Sequence, residues 1–202
     1  MAGQLQLRFR MSVDDPSEMP HSRAEVAVIG RSNVGKSSLV NALARTPGLA
    51  RTSKTPGRTQ LLNVFDATTA SGAVGTLVDL PGYGYAKAPA ALRVRWQERM
   101  EAYLLDREPL SMIISLIDGA VGPTRLDIAT VRWMTYNHLP FTVVATKQDK
   151  VKSSRRQARR REVVAGLELP TDVVMWVSAE RNTGMDRLRA ATARWIERPS
   201  GD

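Results

Sequence analysis

The stretch EVAVIGRSNVGKSSLVNAL, residues 25–43, decides the fold of this chain. Residues 25–30 form an apolar run of strand length, and an amphipathic helical pattern begins near residue 36. The octet that joins them, GRSNVGKS (30–37), matches G-x-x-x-x-G-K-[ST] at every defined position and lies between a strand and a helix, as that pattern requires. The stretch therefore predicts a phosphate-binding loop, and we call residues 30–37 the P-loop.

The residue types of the P-loop explain how it would bind phosphate. Gly30 and Gly35 allow the backbone to turn closely enough for its N–H groups to point at phosphate oxygens. Lys36 can reach the β- and γ-phosphates, and the hydroxyl of Ser37 can bind Mg²⁺. The N-terminus of the following helix adds a partial positive charge. The P-loop predicts nucleotide binding but does not distinguish ATP from GTP.

The composition of the 202 residues narrows the class of protein. The chain has 29 Lys and Arg against 20 Asp and Glu, a net charge of +9, which indicates a polyanionic partner such as nucleic acid or an acidic membrane surface. It has no cysteine, which excludes disulfides and thiol catalysis and fits a cytosolic protein. We find no secretory signal, membrane-spanning run or prenylation box, and so expect a cytoplasmic protein that does not associate with membranes.

Short apolar strands alternate with amphipathic helices along the chain. Strands are predicted at 25–30, 60–67, 73–80, 111–118, 141–146 and 172–178, with helices after the first, third, fourth, fifth and sixth of them. This alternation is typical of a three-layer α/β fold with a six-stranded, mostly parallel sheet. The short turn between the second and third strands predicts a hairpin, and hence one antiparallel edge strand. We expect a single domain over 24–196, a flexible arm over 1–23 and a tail over 197–202.

Two predicted helix starts carry capping-box patterns. Thr124 with Asp127, and Ser154 with Gln157, each place a hydroxyl three residues before a side-chain acceptor. The first pair follows Pro123, and the second heads a very basic helix. Both pairs predict helix N-termini at these positions.

The tetrapeptide TKQD (146–149) follows a predicted strand, where ligands bind in an open α/β sheet. Asp149 can accept hydrogen bonds from N1–H and the 2-amino group of guanine, and adenine offers neither, so the motif discriminates on the order of 10⁴-fold. Lys147 can lie along the base, and Thr146 can link the motif to the P-loop. VSAE (177–180) follows the last strand and can direct a backbone N–H at guanine O6. The order of these motifs along the chain predicts a guanine-nucleotide site.

The segment DLPGYGYAK (79–87) contains the Asp-x-x-Gly pattern of a γ-phosphate sensor. We expect Asp79 to hold Mg²⁺ through water and Gly82 to offer its backbone N–H to the γ-phosphate. The loop before the second strand should supply the other sensor, a threonine. Of Thr46, Thr52, Thr55 and Thr59 we expect Thr59, because it lies immediately before that strand. Tyr83 stands where a catalytic Gln follows the Gly in other GTPases, and a phenol cannot orient water as a carboxamide does.

The chain resembles the bacterial EngB family of ribosome-biogenesis GTPases, within the TrmE-Era-EngA-like P-loop group. The blocks that carry the resemblance are GRSNVGKSSLVNAL (30–43), TSKTPGRTQLLNVF (52–65), VDLPGYGYAK (78–87), Trp96 with EAYLLDR (101–107), and TKQDK (146–150). The resemblance implies a Ras-like G domain that binds GTP, GDP and Mg²⁺ and hydrolyses GTP. It also implies a role in assembly of the large ribosomal subunit, with a link to normal cell division and septation.

The same resemblance implies which residues bind the nucleotide. The expected contacts are Gly30, Arg31, Ser32, Asn33, Val34, Gly35, Lys36, Ser37, Gly57, Arg58, Thr59, Gln60, Leu61, Asp79, Leu80, Pro81, Gly82, Thr146, Lys147, Gln148, Asp149, Val177, Ser178 and Ala179. Mg²⁺ is expected on Ser37, Thr59 and, through water, Asp79, while Lys36, Thr59 and Gly82 act in hydrolysis. Asn33 stands where some related bacterial GTPases hold K⁺ against the phosphates, so we expect slow turnover that K⁺ or the ribosome accelerates.

A dense group of cations follows TKQD. Lys150, Lys152, Arg155, Arg156, Arg159, Arg160 and Arg161 fall within one short stretch of the chain. Together with the net charge, they predict contact with nucleic acid. The resemblance implies that this partner is the rRNA of the large subunit, bound by a monomeric protein through a surface that includes Arg155, Arg156, Arg159 and Arg160. Two other interpretations stay open: a basic RNA-binding module whose GTP site is structural, and a small regulatory GTPase that acts on protein partners.

Overall fold

The computed structural model describes residues 5–50, 61–83, 90–170 and 173–198. Within these ranges, one seven-stranded sheet is covered by five α-helices. The strands are β1 (Leu5–Val13), β2 (Glu25–Gly30), β3 (Leu62–Thr69), β4 (Val74–Asp79), β5 (Leu110–Asp118), β6 (Phe141–Thr146) and β7 (Val174–Trp176). The helices are α1 (Lys36–Ala44), α2 (Ala90–Asp106), α3 (Arg125–Tyr136), α4 (Arg156–Leu167) and α5 (Met185–Glu197). None of these helices has the length and apolar character needed to cross a membrane.

The strand order is β1-β3-β4-β2-β5-β6-β7. The central strand β2 pairs in parallel with β4 and β5, and β6 and β7 extend the parallel part. Because the carboxyl ends of parallel strands share one edge of the sheet, the P-loop after β2, Asp79 at the end of β4 and Thr146 at the end of β6 come together. The topology itself therefore assembles the motifs that the sequence predicts.

The predicted α/β fold with a mostly parallel sheet is confirmed, with seven strands instead of six. The predicted hairpin is present as the antiparallel pair β3 and β4. However, β3 is not an edge strand, because β1 pairs with its other side. The last predicted strand, 172–178, is shorter and spans Val174–Trp176.

The prediction of a flexible arm over 1–23 is wrong for residues 5–13, which form β1. This strand pairs antiparallel with β3 along nearly its whole length. Leu5, Leu7 and Val13 are buried, so burial of alternate apolar side chains holds the strand on the sheet. At the other end of the chain, α5 extends to Glu197, the first residue of the predicted tail.

A β-bulge at Arg10 reverses the face of the sheet toward which the odd-numbered side chains of β1 point. Phe9 pairs with Phe65 and Met11 pairs with Val64, so Arg10 is the extra residue. Leu5 and Leu7 pack into the core under α1 and α5, whereas Met11 and Val13 pack into the core under α2, α3 and α4. Without the bulge, all the odd-numbered residues would face the same side.

The first predicted capping box is confirmed and the second is wrong. The Thr124 hydroxyl accepts from Asp127 N–H, while the Asp127 carboxylate accepts from Thr124 N–H at 2.8 Å. In contrast, α4 begins at Arg156 without a side-chain cap. A short 3₁₀ turn at Ser153–Arg155 precedes it, in which Arg155 N–H donates to Lys152 O, so Ser154 lies inside a turn rather than at the helix start.

Candidate nucleotide-binding site

The P-loop leaves the carboxyl end of β2 and ends where α1 begins at Lys36. Gly35 has φ +107°, a left-handed conformation that favours glycine. Asn33 is also left-handed, with φ +63°, and Asn tolerates this conformation better than most residues do. Backbones that combine left-handed and right-handed residues direct successive N–H groups at one anion, which is the geometry expected of a phosphate-binding loop.

Lys36 faces Asp79 across the mouth of the P-loop. The two side chains are 11% and 4% exposed, and Lys36 Nζ lies 2.9 Å from Asp79 Oδ1. The pair lacks hydrogen-bond geometry, so Oδ1 is a buried acceptor without a hydrogen bond from any described residue. Such an oxygen fits the water shell of a Mg²⁺ ion, and Ser37 beside Lys36 can add its hydroxyl as a ligand. The residues present therefore suit the predicted metal.

Two side chains of TKQD bind the backbone of the P-loop. The Thr146 hydroxyl lies 2.7 Å from Val34 O and 3.0 Å from Ile117 O, and can donate to either. Lys147 Nζ donates to Asn33 O at 2.8 Å. The predicted link from Thr146 to the P-loop is therefore present, and Lys147 supplies a second one.

Asp118 holds Lys147 from its other side, and sequence reasoning did not single it out. Its Oδ2 accepts from Lys147 Nζ at 2.7 Å, and its Oδ1 accepts from the N–H groups of Ala120 and Val121 at 3.0 and 3.2 Å. Burial opposes its charge, but Lys147 and these N–H groups outweigh burial and lower the pKa of Asp118 below its ordinary value of 3.8. The carboxylate therefore stays charged and keeps Lys147 in place. The available signal was its position at the end of β5, next to β6.

Asp149, the expected guanine-binding carboxylate, is oriented by the loop after β7. Ser178 donates its hydroxyl to Asp149 Oδ1 at 2.5 Å, and Arg181 N–H donates to the same hydroxyl at 3.0 Å. The backbones also join, because Gln148 N–H donates to Val177 O. The structure thus brings together TKQD and VSAE, the two motifs that the sequence predicts around the base.

Gly82 and Tyr83 of the sensor segment lie along the P-loop. Tyr83 N–H donates to Gly30 O at 3.2 Å, and Ser32 N–H donates to Tyr83 O at 3.1 Å. Gly82 lies against the loop so closely that a Cβ there would be 3.0 Å from Ser32 N. A side chain at this position would push the two backbones apart by a few tenths of an ångström, so glycine allows their close approach.

The side chain of Tyr83 points toward α3. Its hydroxyl donates to Asp127 Oδ1 at 3.1 Å. Burial, and then the Asp127 carboxylate, raises the pKa of Tyr83 well above its ordinary value of 10.0, so the phenol stays protonated. In this position the hydroxyl serves Asp127, which agrees with the expectation that Tyr83 does not replace the catalytic Gln.

Four of the expected contacts, Gly57, Arg58, Thr59 and Gln60, lie outside the described residues, and with them the predicted Mg²⁺ ligand Thr59. Leu61 is described and is 39% exposed at the start of β3. The remaining predicted residues lie at the carboxyl edge of the sheet, in the P-loop, at the end of β4 and around TKQD and VSAE.

A P-loop, an Asp-x-x-Gly segment and a TKxD motif at one edge of a parallel sheet define a P-loop GTPase. The family model described as "50S ribosome-binding GTPase" matches residues 25–147 of the chain. A relative from Levilactobacillus brevis, described as probable GTP-binding protein EngB, is 41% identical over 189 residues, which cover 93% of this chain and 92% of that protein. The chain belongs to the EngB family of GTP-binding proteins.

Two further comparisons agree with this assignment. The probable GTP-binding protein EngB of Myxococcus xanthus is 39% identical over 191 residues, or 93% of each chain. A crystal structure of a probable GTP-binding protein EngB has a TM-score of 0.67 at 23% identity, covers 86% of this chain and 99% of that chain, and shows the shared fold. Membership of a GTPase family implies binding of GTP and GDP, generally with Mg²⁺, and supports GTP hydrolysis.

Proposed function

We propose that this protein is a GTPase switch that assists assembly of the large ribosomal subunit in the cytoplasm, as a monomer, and that it is thereby linked to normal cell division and septation. The observation that carries the proposal is the basic surface of α4 beside an assembled nucleotide site. The description of the matching family model, a GTPase that binds the 50S ribosome, supports it.

Different residues of this chain would bind the phosphates, the metal ion and the base. Lys36 and the N–H groups of the P-loop bind and neutralise the phosphates, and Gly82 contacts the γ-phosphate. Mg²⁺, held through Ser37, Thr59 and water on Asp79, would neutralise charge on the β- and γ-phosphates. Asp149 accepts from the base while Ser178 fixes its orientation. Hydrolysis removes the γ-phosphate and with it the contact that holds the sensor segment.

The basic surface is not uniform. Arg156 donates to Val151 O, Arg159 pairs with Glu162, and Arg160 donates to Gln148 and lies over the ring of Trp176. These three arginines also support the protein itself. The side chains of Arg155 and Arg161 are exposed, and neither side chain makes a hydrogen bond or ion pair with a described residue. We therefore assign the main phosphate contacts to Arg155 and Arg161, with Lys152 beside them.

Charge reversal at Arg155 and Arg161 tests this function. The double variant Arg155→Glu, Arg161→Glu should bind large subunits much more weakly than the wild type, because fewer phosphates are neutralised, and the dependence of its affinity on salt should be less steep. Subunit binding is measured by cosedimentation between 50 and 200 mM salt. GDP affinity should be unchanged, because neither side chain contacts the nucleotide site.

The matched control is Arg187→Glu, Arg194→Glu, which changes the net charge equally on the exposed side of α5, across the sheet. This control should bind subunits like the wild type. If the α4 variant and the α5 control bind the subunit with the same affinity, whether wild-type or reduced, the α4 surface does not contact the subunit. Single-turnover GTP hydrolysis with and without subunits then distinguishes an activated GTPase from a structural GTP site.

We also propose that K⁺ assists hydrolysis through Asn33. The side chain of Asn33 is exposed while its carbonyl accepts from Lys147, so the carboxamide oxygen is available beside the phosphates. Slow hydrolysis in NaCl should accelerate in KCl at equal ionic strength, and Asn33→Ala should abolish the difference. Asn33→Gly is the better matched variant, since glycine tolerates the left-handed backbone. Equal wild-type rates in the two salts refute this part of the proposal.

A further inference from the structure

Asp127 makes more contacts than a helix cap requires. As the third residue of α3, it completes the capping box with Thr124. It also accepts from Arg31 Nε of the P-loop at 3.1 Å and from the Tyr83 hydroxyl of the sensor segment at 3.1 Å. Its side chain is fully buried, whereas residues in the first turn of a surface helix can usually meet solvent. One carboxylate thus joins the P-loop, the sensor segment and α3.

The two oxygens of Asp127 have different partners. Oδ2 accepts from Thr124 N–H, from the Thr124 hydroxyl and from Arg31. Oδ1 accepts from Tyr83. The bond to Tyr83 can therefore be lost without removing the helix cap. A buried carboxylate costs free energy unless each oxygen has a donor, so the network favours Tyr83 in its observed position.

Tyr83 is held on its backbone side as well. Its N–H and its carbonyl both bond to the P-loop, at Gly30 and Ser32. These two hydrogen bonds and the phenol on Asp127 fix the residue immediately after Gly82. Because consecutive residues share a peptide plane, the orientation of Tyr83 also sets where the backbone of Gly82 lies against Ser32.

Tyr83 has space beside it. An open cavity of about 380 Å³ borders this residue. The residues that line the cavity are Arg31, Ser32, Tyr83, Thr124, Arg125 and Leu126. Tyr83 therefore lies at the wall of an open cavity, where its hydrogen bond to Asp127 adds to the two backbone hydrogen bonds in favouring the docked arrangement.

We propose that Asp127 and Tyr83 are positioning residues for γ-phosphate sensing. Through their hydrogen bond they hold Gly82 against the rim of the P-loop, where its N–H can meet a γ-phosphate. The bond therefore increases the affinity for GTP relative to GDP. This inference rests on GTP binding, which family membership implies, and not on the ribosomal role.

Tyr83→Phe tests the proposal, because it removes one hydroxyl at a half-buried position and keeps the ring. The probes are fluorescent GDP and a fluorescent, non-hydrolysable GTP analogue, titrated with Mg²⁺ present. Loss of a hydrogen bond to a carboxylate should weaken binding of the analogue about tenfold while GDP affinity stays within about twofold. The quantity that decides is the ratio of the two dissociation constants, which a general loss of stability does not change.

Thr124→Ala is the matched control, since it removes one hydroxyl donor from the other oxygen of the same carboxylate and leaves the bond from Tyr83 in place. It should lower the melting temperature by roughly 2–4 °C through the lost cap and leave the ratio as in the wild type. The proposal is overturned if Tyr83→Phe leaves the ratio unchanged, if both nucleotides weaken equally, or if Thr124→Ala shifts the ratio as much as Tyr83→Phe does.

Discussion

Lys147 shows how one side chain of a base-binding motif is fixed by residues far away in sequence. Its ammonium group lies between the carbonyl of Asn33 in the P-loop and the carboxylate of Asp118 at the end of β5. Its own backbone is left-handed, with φ +56°. These two acceptors fix the end of the side chain, and the aliphatic stem is then available for a guanine ring to lie along it.

The substitution Asp118→Asn should weaken GDP binding roughly tenfold, about 1.4 kcal/mol, because Lys147 loses its charged partner. The Asn carboxamide oxygen can still accept from Ala120 and Val121, so the turn after β5 should survive. Isothermal titration with GDP measures the effect, and thermal unfolding checks the turn. Asp118→Ala, which removes both functions, should lose affinity and stability together. Wild-type GDP affinity in the Asn variant would show that Lys147 needs no such anchor.

Asp118 and Asp127 make contacts that could not be predicted from the sequence at the residue scale. The residues of the P-loop, TKQD and the sensor segment are recognisable because their spacing is local. By contrast, Lys147 lies 29 residues from Asp118 along the chain, and Tyr83 and Arg31 lie 44 and 96 residues from Asp127. No local pattern encodes such contacts, and only the packing of neighbouring strands brings them together.

At the scale of elements, β1 could have been recognised and its bulge could not. Leu5, Leu7, Phe9, Met11 and Val13 are apolar at every second position, which is a strand pattern. The polar, proline-containing residues that follow made the whole segment resemble a loose arm. The pattern also implies one buried face, whereas the bulge at Arg10 sends the first and last residues into opposite cores.

Deletion of Arg10 should be tolerated, because it removes the extra residue and leaves every other side chain of β1 on its present face. We expect the free energy of unfolding in urea to fall by less than about 1 kcal/mol, the value of the exposed pair with Asp66. Deletion of Gln6 is the matched control. It forces either Leu5 or Leu7, both buried, onto the wrong face, at about 1.5–3 kcal/mol for a side chain moved out of the core. Equal losses for the two deletions would contradict this account of the bulge.

At the scale of the whole molecule, the two ends of the sheet have different chemistry. The nucleotide site lies at the carboxyl ends of the parallel strands. At their opposite ends, the carboxylate of Glu25, at the start of β2, is buried. Glu25 is 0% exposed and accepts from the Tyr103 hydroxyl at 2.6 Å, from Arg107 and from Thr76 on β4. Arg107 also donates to Pro20 O, which ties in the segment after β1.

This network fixes the last turn of α2, the helix that follows the sensor segment. Burial, and then the Glu25 carboxylate, raises the pKa of Tyr103 well above its ordinary value of 10.0, so the phenol remains a donor. The alternation of strands and helices predicted the sheet and its central strands correctly. It could not predict this cluster, because its members come from β2, β4, the end of α2 and the segment after β1, and no motif links them.

Arg107→Ala should destabilise the protein by about 3–5 kcal/mol, since it leaves the Glu25 carboxylate buried without a counter-charge. The same change at Arg132, whose pair with Glu168 has both side chains more than 60% exposed, should destabilise the protein far less, because solvent screens this pair. Urea unfolding of the two variants measures the difference. Because the network lies at the edge of the sheet opposite the nucleotide, the folded fraction of Arg107→Ala should bind GDP with wild-type affinity. Similar stability losses at the two arginines would show that Glu25 is satisfied by Tyr103 and Thr76 alone.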